Sequence, residues 1–218
     1  MKLSITIPSL PSRLDKFSSL FTKIQNQIPN GSKEIEILSL IDNKNMSVGR
    51  KRQALFQLAR GDYVCQIDDD DGVSDNFIDS VIKAIESEKG IPEVINYKQK
   101  CDIDGNTLYV QSSIKYPTTN SIIRVDEKTL TRTIYRFPWH WSCWRNDIAK
   151  KGQFYDCNGV EDSVWPQLMK EIVSVEYNID EVLVYYNFRT SQTESPYVLP
   201  PEAIKDLKLC KIKVTENE

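Results

Sequence analysis

Four consecutive aspartates, Asp68, Asp69, Asp70 and Asp71, are the residues of this 218-residue chain whose type and spacing most clearly indicate chemistry. They follow residues 63–67, a mostly apolar run that predicts a buried strand. Adjacent carboxylates repel one another unless a cation neutralises them, and hard divalent cations prefer oxygen ligands. The run therefore predicts a metal site that holds phosphate groups. A solvated acidic loop or a helix cap is the structural alternative.

A second acidic pair, Glu161 and Asp162, comes directly before a helix predicted over residues 163–171. A carboxylate within reach of a substrate hydroxyl acts as a general base. Acidic side chains also cap and stabilise helix N-termini, which is the structural alternative. We favour catalysis because the pair follows Gly159 and an aromatic segment, residues 135–144.

Three basic residues, Arg50, Lys51 and Arg52, lie in the first turn of a helix predicted over residues 48–59, with Ser47 as its N-cap. Cations at this end oppose the helix dipole by about 0.3–1 kcal/mol. Their presence indicates a nearby anion such as a phosphate, and the alternative is a solvated basic face.

His140 is the one histidine of the chain, and it lies among tryptophans. Three roles stay open for it: a third metal ligand, a substrate contact or a structural residue of the core. Alternation across Trp139, Trp141 and Cys143 indicates a strand with these three side chains on one side.

The elements that must position these residues alternate in type along the first half of the chain. Strands are predicted over residues 3–7, 34–41 and 63–67, and helices over residues 12–27, 48–59 and 75–87. This alternation is typical of a parallel sheet covered on both faces. In the second half we predict a hairpin formed by residues 94–100 and 107–112, and a helix over residues 163–171. Two short strands follow, up to residue 188. The remaining tail is predicted to be irregular, with one helix over residues 202–209.

In this order the motifs resemble family 2 glycosyltransferases of the GT-A fold, and the Gly-Arg-Lys-Arg segment with four aspartates resembles small virus- or phage-type members. The matching segments are Thr6-Ile-Pro-Ser9 with Arg13, Asp42 after the second strand, residues 48–53, residues 59–64, residues 68–71 and Gly159-Val-Glu-Asp162. The resemblance implies an α/β fold with a mostly parallel, mixed central sheet flanked by helices. It also implies one catalytic domain over residues 1–190, with a nucleotide-binding half (1–90), an acceptor half (91–190) and a C-terminal tail (191–218).

The resemblance implies a role for each matching residue. Asp42 would read the nucleobase, typically uracil, and Asp70 would be the main ligand of Mn²⁺ or Mg²⁺. Asp162 would be the general base of an inverting reaction, with Glu161 as the fallback. Asp68 would be shared between ribose and metal, and His140 would be a further candidate ligand of the metal. The residues that would contact the nucleotide-sugar are Pro8, Ser9, Arg13, Arg50, Arg52, Asp68 and Asp69. The chain departs from the family pattern at residues 9–12 and at Gln53.

Composition limits the partners of the chain. A net charge of -3 argues against general nucleic-acid binding. Five cysteines without a CxxC pair indicate reduced thiols and a cytoplasmic protein, in the host cytoplasm if the source is viral. No run reaches the ~18 apolar residues of a transmembrane helix.

The expected partners are a nucleotide-sugar donor and a glycan, glycoprotein or other hydroxyl acceptor. A nucleotidyltransferase and a non-catalytic nucleotide-sugar-binding module are the alternatives.

Overall fold

The computed structural model describes residues 1–87, 90–119, 121–159 and 161–188. The predicted tail with its helix near residues 202–209, and Cys210, lie outside these described residues. Within them, ten strands form one mixed sheet.

The first half of the chain alternates strands and helices, as predicted. After a short 3-10 turn at Pro11–Arg13, each helix returns the chain to the sheet. The elements are β1 (Leu3–Ser9), α1 (Leu14–Gln25), β2 (Ile35–Ile41), α2 (Val48–Leu58), β3 (Tyr63–Gln66), β4 (Gly72–Val73) and α3 (Phe77–Ile85).

Strand β1 lies at the centre of this half, and all of its residues are buried. It pairs in parallel with β2 on one side and β3 on the other, so that Leu3 lies opposite Ile35 and Tyr63. Parallel strands covered on both faces carry nearly continuous apolar sequence, which explains the clear prediction of β1 and β3. The Ser47 hydroxyl accepts a hydrogen bond from the Arg50 amide at 3.1 Å, which confirms the predicted N-cap of α2.

The second half completes the sheet and adds two helices. Its elements are β5 (Val94–Ile103), β6 (Asn106–Ser112), β7 (Ile122–Val125), β8 (Arg132–Arg136), β9 (Cys143–Arg145), α4 (Asn146–Ala149), α5 (Glu161–Lys170) and β10 (Glu176–Phe188). Asp104 and Gly105 have positive φ angles of 49° and 84°, which suit a two-residue hairpin loop. The predicted hairpin is confirmed, with a tighter turn.

The strand order is β2-β1-β3-β9-β5-β6-β8-β7, with β10 beside β5 and β4 beside β10. The longest ladders, β1–β2 and β5–β10, are parallel. One core forms around α1 and α3, and a second contains Phe56, Trp144 and Trp165 from α2, β9 and α5. The predicted class, an α/β fold with a mostly parallel, mixed sheet flanked by helices, is confirmed.

Two local predictions were wrong. Trp139 and Trp141 lie in a turn and not in a strand, because Pro138 has no amide to donate to a ladder and the Ser142 amide donates to the Trp139 carbonyl at 3.0 Å. The two short strands before residue 188 are one strand, β10. Register shifts near Val182 bend it without ending it.

Candidate functional site

A cavity of about 430 Å³ opens at the carboxyl ends of β1, β2 and β3, where ligands bind in open α/β sheets. The N-terminus of α5 and the end of β10 close its other side. Nine of the residues predicted from the sequence line it together: Pro8, Ser9, Arg13, Arg52, Asp68, Asp69, Asp70, Glu161 and Asp162.

Arg13 and Ser9 hold the middle of the acidic run. The Asp69 side chain is only 3% exposed; it accepts a hydrogen bond from the Ser9 hydroxyl at 2.6 Å and pairs with Arg13 at 2.5 Å. The same Arg13 guanidinium reaches Asp70 at 2.5 Å. Burial raises the pKa of Asp69 to about 6. Arg13 therefore fixes two of the carboxylates that face the cavity.

Arg52 joins the two acidic motifs that are far apart in sequence. Its Nη2 lies 3.0 Å from Asp68 and its Nε lies 3.2 Å from Glu161. Burial opposes ionisation of Asp68, yet the charge of Arg52, with the His140 side chain nearby, holds its pKa well below its usual range. The Arg52 guanidinium thus connects the start of α5 to the loop that follows β3.

Asp42 lies beside the cavity, at the end of β2, and is not part of the cavity wall. Its carboxylate pairs with Lys51 and accepts the Met46 amide at 2.7 Å. The bond to Lys51 lowers the pKa of Asp42. Lys51 itself lines the cavity and donates to the Ser9 carbonyl at 2.9 Å. Arg50 is exposed and is not part of the cavity wall.

Asp71 lies behind the other three aspartates. Its side-chain oxygens are shielded from solvent and have no hydrogen-bond partner of good geometry in the described part of the chain. Burial, with the charges of Asp68 and Asp70, raises its pKa well above the usual range. The surroundings of Asp71 therefore favour the protonated carboxyl group more than those of an exposed aspartate do.

His140 is buried against the acidic run and does not line the cavity. Its Nε2 lies 3.8 Å from an Asp68 oxygen, and neither ring nitrogen has a hydrogen-bond partner among the described residues. Burial and the Arg52 charge lower its pKa, so the imidazole is neutral at pH 7. The roles predicted for it stay open.

Glu161 and Asp162 begin α5 and differ in their surroundings. Glu161 is 2% exposed and bonded to Arg52, and burial raises its pKa. Asp162 is half-buried and faces the cavity, and the Ser163 hydroxyl donates to it at 3.3 Å. Of the two, Asp162 is the carboxylate with access to a substrate.

The residues at the acidic run fit a hard divalent cation. Among the described residues no three His, Cys, Asp or Glu side chains are arranged to hold a metal by themselves. Mg²⁺ commonly takes one or two carboxylates and completes its shell with substrate phosphates. The buried Asp68 Oδ1 has no hydrogen-bond partner in this part of the chain, and the adjacent Asp70 is 35% exposed at the cavity.

Sequence reasoning missed part of the cavity wall. Tyr186, Asn187 and Phe188 at the end of β10 line it, as does Asn158. The Asn158 side chain accepts the Val48 amide at 2.8 Å, and so ties its loop to the start of α2. The alternation of Tyr186 and Phe188 at the end of the strand was a usable signal, because residues two apart in a strand place both rings on one face.

The fold is shared with TarS of S. aureus. Residues 1–349 of TarS in complex with UDP-GlcNAc superpose with a TM-score of 0.70 at 16% identity, over 96% of this chain and 65% of that chain. The same TarS fragment in complex with UDP gives 0.67 at 15% identity, over 96% and 64% of the two chains. This chain therefore spans about two-thirds of the length of the TarS fragment and shares its fold, the GT-A fold. No protein-family model and no curated protein sequence matches the chain.

None of the described helices has the length and apolar character needed to cross a membrane. The cysteines of the described residues are thiols and form no disulfide with one another.

Proposed function

We propose that the chain is a metal-dependent glycosyltransferase that moves a sugar from a nucleoside diphosphate donor, a UDP-sugar, to an acceptor hydroxyl. The observation that carries this proposal is the single cavity in which Asp68, Asp69 and Asp70 face Glu161 and Asp162. The complexes of TarS, a protein of the same fold, with UDP-GlcNAc and with UDP support the choice of donor.

The donor would bind along the ends of β1, β2 and β3. Asp42, with Lys51 beside it, would meet the uracil base, and Asp68 and Asp69 would face the ribose. Arg13 and Arg52 supply positive charge at the acidic run, where the diphosphate would lie. Ser9 and Pro8 form the adjoining wall of the cavity.

Asp70 and Asp68 would hold the Mn²⁺ or Mg²⁺ ion, with His140 as a further candidate ligand. When bound, the metal supplies positive charge that stabilises the diphosphate leaving group. The partnerless Asp68 oxygen and the exposed Asp70 carboxylate support this assignment.

Asp162 would act as the general base of an inverting transfer. The acceptor oxygen bonds to the anomeric carbon, and its proton passes to an Asp162 carboxylate oxygen. The bond from this carbon to the diphosphate breaks, and UDP leaves with the electron pair. Glu161 is the fallback, but its bond to Arg52 suits it better to a positioning role.

The test is the release of UDP from UDP-GlcNAc with Mn²⁺, compared with the same reaction in EDTA. Asp70→Asn should lower the rate at least about hundredfold, because losing about 3 kcal/mol of charge stabilisation has that effect. Asp75→Asn is the matched control, since Asp75 is 97% exposed and pairs with the surface residue Lys23 at 3.0 Å. UDP binding without any turnover would indicate a binding module, and turnover that survives EDTA and Asp70→Asn would refute the metal.

A further inference from the structure

Arg136, the last residue of β8, carries a positive charge that no carboxylate of the described residues neutralises through an ion pair. Its Nε is shielded from solvent and has no hydrogen-bond partner in that part of the chain. The other shielded cations near the cavity differ, since Arg13, Lys51 and Arg52 each pair with an aspartate. A desolvated charge is costly unless it is paired, so Arg136 is suited to an anion from outside the chain.

A stack of flat groups links Arg136 to the acidic run. Its guanidinium carbon lies 3.0 Å from the centroid of the Trp139 ring. The Trp139 ring stacks on His140, with centroids 5.8 Å apart and an interplanar angle of 17°. The Nε2 atom of His140 lies 3.8 Å from Asp68.

Stacking on Trp139 leaves the in-plane N–H groups of the guanidinium available to a ligand. These donors match the paired oxygens of a phosphate or carboxylate. Arg136 does not line the donor cavity, where Arg13 and Arg52 already meet the acidic run. An anion bound at Arg136 would therefore be a second one, distinct from the donor diphosphate.

Arg136 lies near α5, the helix that begins with Glu161 and Asp162, because the next residue, Phe137, packs in the same core as Trp165 of that helix. Burial lowers its pKa to about 9, and Asp162 is the first of the charged groups that offset this effect. Asp162 is also the carboxylate assigned above to the acceptor hydroxyl. A group bound at Arg136 would thus arrive with the acceptor.

We propose that Arg136, held flat by Trp139, binds an anionic group of the acceptor, which is then a hydroxyl compound that carries a phosphate or a carboxylate. This proposal rests on the glycosyl transfer proposed above. It narrows the acceptor from any hydroxyl compound to an anionic one.

The experiment is a calorimetric titration of the protein saturated with UDP and Mn²⁺, repeated without UDP. Three probes share one hexose frame: glucose 6-phosphate, glucuronate and glucose. We expect one of the two anions to bind at least about tenfold more tightly than glucose, as for a hydrogen-bonded charge pair. The stronger anion then distinguishes a phosphate-bearing acceptor from a carboxylate-bearing one.

Arg136→Gln should remove this preference, whereas Arg136→Lys should keep part of it. Arg124→Gln is the matched control, because the Arg124 guanidinium lies over the Tyr135 ring at 5.0 Å on the exposed edge strand β7. UDP affinity is measured for the wild type and for each variant, which separates the two proposals. A wild-type protein that does not bind UDP would refute the proposed donor. Equal binding of all three probes, or an anion preference that survives in Arg136→Gln, overturns the role of Arg136.

Discussion

Two shielded carboxylates at the site, Asp42 and Asp69, pair with cations from other segments of the chain. Asp42 pairs with Lys51, and Asp69 with Arg13. Removing one member of a buried pair leaves an unpaired charge and costs about 3–5 kcal/mol. These pairs therefore hold the acidic side chains in fixed positions, and a bound diphosphate would share the same cations.

The roles of Asp162 and Glu161 give a prediction at the residue scale. Asp162→Asn should lower kcat by about 10²–10⁴-fold, the usual contribution of a general base, and leave the KM for the UDP-sugar unchanged. Glu161→Gln should raise that KM, because Arg52 loses the partner that orients it beside Asp68. The measurement is steady-state kinetics with an acceptor that supports turnover in the wild type.

Hydrolysis of the UDP-sugar by water is the internal control for this pair of variants, because it needs the donor but not the acceptor. A reversed pattern, with kcat lost in Glu161→Gln and preserved in Asp162→Asn, would move the base to Glu161. Unchanged transfer in both would remove the pair from the chemistry.

At the scale of elements, Glu36 on β2 links β1 to the turn after α2. It accepts the Ser4 hydroxyl at 2.7 Å and the Arg60 amide at 2.8 Å, and the Arg60 side chain reaches it at 2.7 Å. The Gly61 amide donates to the same Ser4 hydroxyl at 2.8 Å. This network connects the strands whose carboxyl ends form the donor cavity.

Glu36→Gln should lower the free energy of unfolding at pH 7 by about 1–2 kcal/mol, because it weakens the charge-assisted hydrogen bonds from Arg60. The loss stays moderate because the Arg60 side chain is exposed to solvent. Burial opposes ionisation of Glu36, but the Arg60 bonds win and hold its folded-state pKa below its ordinary value of 4.5. Its contribution is therefore complete above pH 4.5 and is lost as the pH falls further. Chemical denaturation from pH 7 to pH 3 should show the two proteins converging.

Asp79→Asn serves as the control, since it breaks an exposed pair with Lys83 within α3 and should change the stability much less than Glu36→Gln does. A difference between wild type and Glu36→Gln that is constant or grows toward pH 3 would contradict the proposed origin of the effect.

The elements that sequence patterns predicted are those whose apolar period reflects local burial. Strand β1 and helix α3 belong to this group. Strand β9 was missed because its three residues are ordered by pairing with β3 and β5, which are distant in sequence. The turn at residues 139–142 was missed because alternation of large side chains also occurs outside strands.

For the whole molecule, motif order predicted much of the cavity wall because parallel strands bring their carboxyl ends to one edge. It did not include Tyr186, which reaches the cavity through the long ladder between β10 and β5 and was indicated in the sequence by its aromatic alternation with Phe188. Nor could it predict that Arg52 bonds both acidic motifs, since that depends on the approach of α5. The missing information lies in contacts between residues far apart in sequence.

The proposed function requires that the cavity bind uridine diphosphate together with a divalent metal. The most direct measurement is the unfolding midpoint, Tm, with UDP, ADP, GDP or CDP, each with and without Mn²⁺. A ligand at about 100 times its Kd stabilises a protein by about 2.7 kcal/mol, which raises the Tm of a chain of this size by about 5–10 °C. We predict a rise of this order for UDP with Mn²⁺ and a much smaller one without the metal. A larger rise with another nucleotide, or equal rises with and without Mn²⁺, would contradict the account.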